Sequence, residues 1–242
     1  MPGLIDVHCH LLPGVDDGCA SIDESIACAR GLVAEGYTHA FCTPHIWPSL
    51  PHNNVREIPQ RTKELQNALN EANVALHLLP GGELNLRPQT PQTPPDEVLT
   101  YGLGGKYCLF DMWADELPDW FDGAIGFLQS LELNVIVAHP ERMRAVQENP
   151  GLVDRFADMG LLLQGNLQCF SDPPNAATRQ LVEEFLVDGR YFVLGSDTHN
   201  PQTLPLRMEG LRRAVALAGQ AAVDRLTIEN PRNLLPRSAE NL

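Results

Sequence analysis

Seven short apolar runs, alternating with longer stretches of helical periodicity, restrict this chain more than any other feature. The runs are residues 4–8, 39–43, 75–81, 107–111, 134–138, 161–165 and 191–194. Short apolar runs between turn signals are the pattern of parallel strands covered on both faces. Helical patterns lie between them. The first is the clearest, because Ser21-Ile-Asp-Glu24 reads as a capping box whose side chains satisfy free backbone N–H groups. Ile22, Ile26, Ala29 and Val33 follow at helical spacing, and Gly36 is the expected C-cap. Further helices are expected over 59–73, 119–131, 152–159, 176–188 and 205–218. A β-α unit repeated about seven times implies a barrel-like α/β domain. A length of 242 residues suits a single domain spanning 1–242.

In a parallel barrel the reactive face lies at the C-terminal ends of the strands, and the chemistry-bearing residues gather there. His8 and His10 end the first run, His45 the second, Glu83 the third, Asp111 the fourth, His139 the fifth, and Asp197 with His199 the seventh. Residues i and i+2 of a strand share a side, so His8 with His10, and Asp197 with His199, can face one ion. Five of the eight histidines sit at these ends, together with carboxylates. Imidazole and carboxylate together suit zinc, manganese or iron better than calcium or magnesium. The candidates outnumber what one ion takes, and Glu83 is suited to bridging, so two or three metals are expected. His39 and His77 lie at or before strand starts, and His52 lies in a loop, so they are set aside. Two irregular stretches, 46–54 and 86–95, follow strand ends and are expected to form the rim.

Composition removes several function classes. A formal net charge of −14 repels nucleic acid and anionic lipid. No apolar run approaches the roughly 18 residues of a membrane span. The first residues carry no basic, apolar leader, so the expected compartment is the cytoplasm. The six cysteines are scattered without a C-x-x-C pair, which reads as core thiols. None has an arginine six positions later, so the C-x5-R loop of cysteine phosphatases is absent. Cys9, between His8 and His10, is expected to face away from them into packing.

Asp6-Val-His-Cys-His-Leu-Leu-Pro-Gly-Val-Asp-Asp-Gly18, Cys42-Thr-Pro-His45, His139-Pro-Glu-Arg142 and Ser196-Asp-Thr-His-Asn200 resemble, in order, motifs of the polymerase and histidinol phosphatase (PHP) superfamily. More narrowly they resemble its bacterial protein-tyrosine phosphatase branch, linked to capsule and exopolysaccharide synthesis. The resemblance covers nearly the whole chain. It implies a distorted seven-stranded (β/α)7 barrel and a trinuclear site, often assigned manganese. It implies His8, His10, His45, Glu83, His139, Asp197 and His199 as ligands, joined by Asp17, and Arg142 as a phosphate contact. The chain departs from the branch at Asp111, where Glu is usual, and at Leu204, where Arg is usual; Arg207 is the candidate replacement.

The reaction so implied is phosphomonoester hydrolysis of a phosphotyrosine protein, a bacterial tyrosine kinase of polysaccharide export, with Asp197 or His199 returning a proton to the leaving group, or with the group leaving as a metal-stabilised phenolate. Trp47, two residues after His45, and Trp113, two after Asp111, are candidates to stack on the substrate ring. Three other readings use the same residues: a small-molecule phosphatase acting on histidinol phosphate, an amidohydrolase cleaving C–N bonds, and a metal-binding scaffold without activity.

Overall fold

Two of the seven expected strands are each followed, after a break at the end of the run, by a short further strand, and these breaks give the fold its shape. The computed structural model describes residues 3–236. Its strands are β1 (Leu4–Cys9), β2 (Tyr37–Cys42), β3 (His45–Ile46), β4 (His77–Pro80), β5 (Glu83–Asn85), β6 (Tyr107–Asp111), β7 (Asn134–Ala138), β8 (Leu162–Asn166) and β9 (Val193–Gly195). In the second, β3 follows β2 after a break at Thr43-Pro44, where proline brings no N–H to a ladder. In the third, β5 follows β4 after a break at Gly81-Gly82.

Among the described residues all strand pairings are parallel. The order is β1-β2-β4 in one sheet and β3-β5-β6-β7-β8-β9 in the other. Because β3 continues β2 and β5 continues β4, the sheets form one curled wall of seven staves. Thr100–Gly102 fills the gap between β4 and β6: Gly102 N donates to Pro80 O and Tyr101 N to Tyr107 O. The seam between first and last staves closes through Asp197 N to His8 O, 2.7 Å, and His10 N to Thr198 O, 2.8 Å. Only glycine fits this seam at Gly195, where a Cβ would lie 2.7 Å from His8 Cβ. The distorted α/β barrel expected from the sequence is therefore present.

The main helices are Ile22–Ala34, Glu57–Glu71, Phe121–Ser130, Leu152–Asp158, Ala176–Val187 and Leu204–Ala218, close to their expected ranges. The capping box forms with one change. Ser21 Oγ accepts from Glu24 N, but the Glu24 carboxylate accepts from Ala20 N, one residue before the cap. Gly36 adopts φ +95°, the left-handed region that ends a helix without a Cβ penalty. Arg144–Glu148, Leu167–Ser171 and Gln220–Asp224 are helices of five residues, too short to leave a period in the sequence.

Ile5, Val7, Phe41, Leu79, Leu109, Ile136 and Val193 form an inner cluster, each N-terminal to the polar residue ending its stave. Two outer clusters join sheet and helices. The lower interior is thus filled with apolar side chains, and polar groups are confined to the C-terminal mouth. Cys9 packs in an outer cluster, and all six cysteines are buried free thiols. Among the described residues, no helix is long and apolar enough to cross a membrane.

Candidate metal centre

The nine side chains expected as ligands converge at this mouth. They form four overlapping groups: His10, Asp17, His45 and His199; His8, His10 and Asp197; His8, Glu83 and His139; His45, Glu83 and Asp111. Within each, the candidate ligand atoms lie within 4.8 Å of one another. Glu83 is the hub. Its Oε2 lies 2.8 Å from His45 Nδ1, 3.5 Å from His8 Nε2 and 3.6 Å from His10 Nε2, and its Oε1 lies 3.0 Å from His139 Nε2. Asp197 Oδ1 faces His8 Nε2 at 3.4 Å, His10 Nε2 at 3.3 Å and His199 Nδ1 at 3.5 Å. Asp17 spans His45 and His199 at 3.4 and 3.5 Å. The shorter Asp111 still reaches the His45–Glu83 group.

Three imidazoles are oriented from behind. Gln164 Nε2 donates to Gly165 O, which turns Gln164 Oε1 toward His8 Nδ1 at 2.8 Å. His10 Nδ1 donates to Asp16 Oδ2 at 2.8 Å, and His199 Nδ1 donates to the Asp197 carbonyl at 2.8 Å. An acceptor on Nδ1 fixes the proton there and leaves the Nε2 lone pair facing inward, as metal-binding histidines require. Sequence reasoning missed these supports. Asp16 stands beside the chosen Asp17 and also accepts from the backbone N–H of His45 and Gly18. The approach is so close that a Cβ on Gly18 would lie 2.3 Å from His10 O. The signal for Gln164 and Asn166 was polar side chains at i and i+2 in an otherwise apolar run.

The electrostatics ask for cations. Burial alone would raise the Glu83 carboxyl, but His8, His139 and His45 outweigh it and hold the group well below its ordinary range. Asp197 is held low against burial by His8, His10 and His199. Asp111 is pushed up to about 7 by burial and by the nearby Glu83 charge. Burial lowers His45, yet Asp17 and Glu83 raise it to about 9. Asp111 Oδ1 is buried without a hydrogen-bond partner, and His45 Nδ1 and Glu83 Oε2, 2.8 Å apart, are not in hydrogen-bond geometry. The three residues belong to one group, and the donor set fits divalent metal ions. His139 and Asp197 adopt φ +34° and +53°, which costs backbone energy and aims both side chains into the cluster.

A family model described as capsular polysaccharide synthesis, CpsB/CapC, matches residues 4–236. The chain belongs to the CpsB/CapC family. It is 31% identical to the tyrosine-protein phosphatase YwqE of Bacillus subtilis over 204 residues, covering 83% of this chain and 79% of that protein. A solved structure from work on YwqE of Bacillus subtilis and CpsB of Streptococcus pneumoniae, described as metal-dependent tyrosine phosphatases, superposes with a TM-score of 0.87. It shares 25% identity and covers 96% of this chain and 94% of that one. A histidinol phosphate phosphatase of Lactococcus lactis shares the fold, at TM-score 0.53, 15% identity and coverage of 90% and 94%. The resemblance drawn from the motifs is borne out.

The rim of this CpsB/CapC chain is more varied. Arg142, after β7, donates from one terminal nitrogen to Asp197 Oδ2 at 2.9 Å, and Asn166 donates to the same oxygen at 2.7 Å. Arg142 lines a cavity of about 520 Å³ with Asp197, His199 and Pro173. Trp113 is 64% exposed, donates Nε1–H to Asp111 at 2.6 Å, and carries the Arg142 guanidinium 5.7 Å from its ring centre. Trp47 stacks on His45, with ring centres 4.2 Å apart. Arg207 also lines the cavity, but it is buried and its guanidinium donates to the carbonyls of Asp197 and Thr203. Leu204 is buried against Gly31. His39 and His77 pair across the starts of β2 and β4, away from the centre.

Proposed function

We propose that this chain is a cytoplasmic, single-domain, metal-dependent phosphomonoesterase that hydrolyses phosphotyrosine on a protein, a bacterial tyrosine kinase of polysaccharide export being the substrate. The observation that carries the reading is Arg142. A forked, permanently charged group stands at the lip of a histidine and carboxylate centre, beside a cavity wide enough for an aryl phosphate. The likeness to YwqE, a tyrosine-protein phosphatase, supports the same reaction.

His8, His10, Asp17, His45, Glu83, Asp111, His139, Asp197 and His199 would hold two or three divalent ions, manganese first, with iron or zinc as alternatives. Bound there, such ions supply Lewis acidity toward phosphate oxygens and a more acidic water. The chain's own residues do the rest. Arg142 binds phosphate oxygens and the charge that grows on them. Asn166 shares Asp197 Oδ2 with Arg142 and so fixes the carboxylate against which the guanidinium is aimed. Asp197 is held ionised by its histidines and His199 keeps its Nδ1 proton on the Asp197 carbonyl, so neither is placed to return a proton, and the departing oxygen takes one from solvent at the open cavity. Arg207 is assigned a positioning role through the Asp197 carbonyl, beside its place in the cavity wall.

The test is an activity panel on phosphotyrosine peptide, phosphoserine peptide, histidinol phosphate and an amide substrate, with metal content measured on the same sample. Phosphotyrosine turnover that disappears on chelation and returns with manganese is expected. Preference for histidinol phosphate or the amide would move the assignment to one of those classes. Activity that survives complete metal removal would end the metal reading.

A further inference from the structure

Arg142 has a cavity on either side. The larger contains Asp197 and His199. The smaller, about 350 Å³, contains none of the nine metal-binding candidates; Met112, Trp113, Ala114, Met143 and Arg144 complete it with Asp115. It adjoins the reaction site only through the shared Arg142 wall and through Trp113, whose indole N–H is tied to Asp111.

We propose that this smaller cleft is a second substrate pocket, which takes an apolar, preferably aromatic, side chain of the polypeptide next to the phosphotyrosine. The inference rests on the phosphotyrosine reading above. A solvated indole normally turns freely, but this one is held at its N–H by Asp111 and on its ring by the Arg142 guanidinium. A large aromatic surface held in place binds at low entropic cost. Met112 and Met143, both almost fully buried, line the same cleft, and a methionine side chain adapts readily to a further aromatic group. The guanidinium of Arg144 already pairs with Asp115 and Glu148, so the cleft's outer cation is partly neutralised and an acidic side chain is the poorer occupant. An extended polypeptide advances roughly 3.3 Å per residue, so with its phosphate at Arg142 a neighbouring residue comes within reach of the cleft.

The experiment uses the full chain loaded with manganese. A phosphotyrosine peptide with alanine flanks is compared with peptides carrying Phe, or Glu, at each of the two positions on either side; p-nitrophenyl phosphate reports the reaction centre alone. In the unaltered enzyme, Phe at one position should raise kcat/KM roughly three- to ten-fold, the worth of one aromatic contact. Ala114→Trp fills the cleft and should erase that gain while leaving the rates on p-nitrophenyl phosphate and the alanine peptide unchanged. Ala114→Leu is the milder filling variant, read in the same way should the tryptophan variant not fold. Equal rates with Phe and Ala at every position, a preference for Glu, or a Phe gain that survives filling would overturn the proposal. Failure of every phosphotyrosine peptide alongside hydrolysis of histidinol phosphate would instead bring down the phosphotyrosine reading, and this inference with it. Uniform hydrolysis of all the peptides sinks the second pocket alone.

Discussion

The floor and the lip of the metal centre are built on different terms. On the floor, His8, His10 and Glu83 are fully buried, and Asp197 nearly so. His8 and His10 are each braced by a second polar group, and Glu83 touches four imidazoles. At the lip, the side chain of Asp17 is 64% exposed, that of Arg142 31%, and Trp113 stands largely in solvent. Ligand geometry is thus enforced where water is excluded and electrostatic terms are strong. The groups that meet a substrate are left where they can adjust to it. The contrast implies that floor substitutions destroy the centre, whereas lip substitutions alter which substrates it favours.

The largest effect should follow loss of a floor ligand. His10→Ala or Glu83→Ala is expected to lower bound metal and cut kcat/KM by about 1000-fold or more, about 4 kcal/mol of transition-state stabilisation. Full metal content with an unaltered rate in either variant would erase the distinction drawn here. Next comes the brace. Asp16→Asn keeps the shape but weakens the acceptor on His10 Nδ1, and should reduce metal affinity roughly 10- to 100-fold, as loss of such outer partners does. Titration of the metal-free protein with manganese measures it directly. An unchanged affinity would mean that the floor needs no bracing.

At the lip, Arg142→Lys retains charge but loses the planar fork. A fall of roughly ten-fold in kcat/KM with metal content intact is expected, about 1.4 kcal/mol. Loss of metal in that variant would show that Arg142 belongs to the floor through Asp197. The smallest effects concern the two tryptophans. Trp113→Ala should cost the Phe-bearing phosphotyrosine peptide roughly 0.5–1.5 kcal/mol and p-nitrophenyl phosphate little. Trp47→Ala should cost both substrates alike, because its ring lies on His45. The reverse pattern would exchange their roles.

Much of this was legible in one dimension because strand ends are. Each run of apolar residues stops where its stave leaves the packed interior, so the polar residue that follows is delivered to the mouth. His8 with His10 shows it, since spacing by two placed both in one group, whereas Asp197 and His199, beyond the end of β9, fall in different groups. Two failures of that logic are equally informative. A run such as 75–81 looks continuous, yet Gly81-Gly82 offsets β5 from β4. Position along the chain also left open what Arg207, the candidate for the arginine usual at Leu204, does: it lines the cavity, yet its guanidinium donates to backbone carbonyls.

By itself, the sequence determined the seven-fold alternation, the residues ending each stave and the kind of ion they suit, since periodicity and donor chemistry are local properties. The tertiary structure alone decided which of two adjacent aspartates braces His10 and which faces His45 and His199, and that Gln164 stands behind His8 across 156 positions of chain. Those outcomes depend on how β1 and β9 meet at the seam and how β8 lies against it. Hydrogen bonds reach only about 3 Å, so their partners are set by the closure of the barrel rather than by distance along the chain.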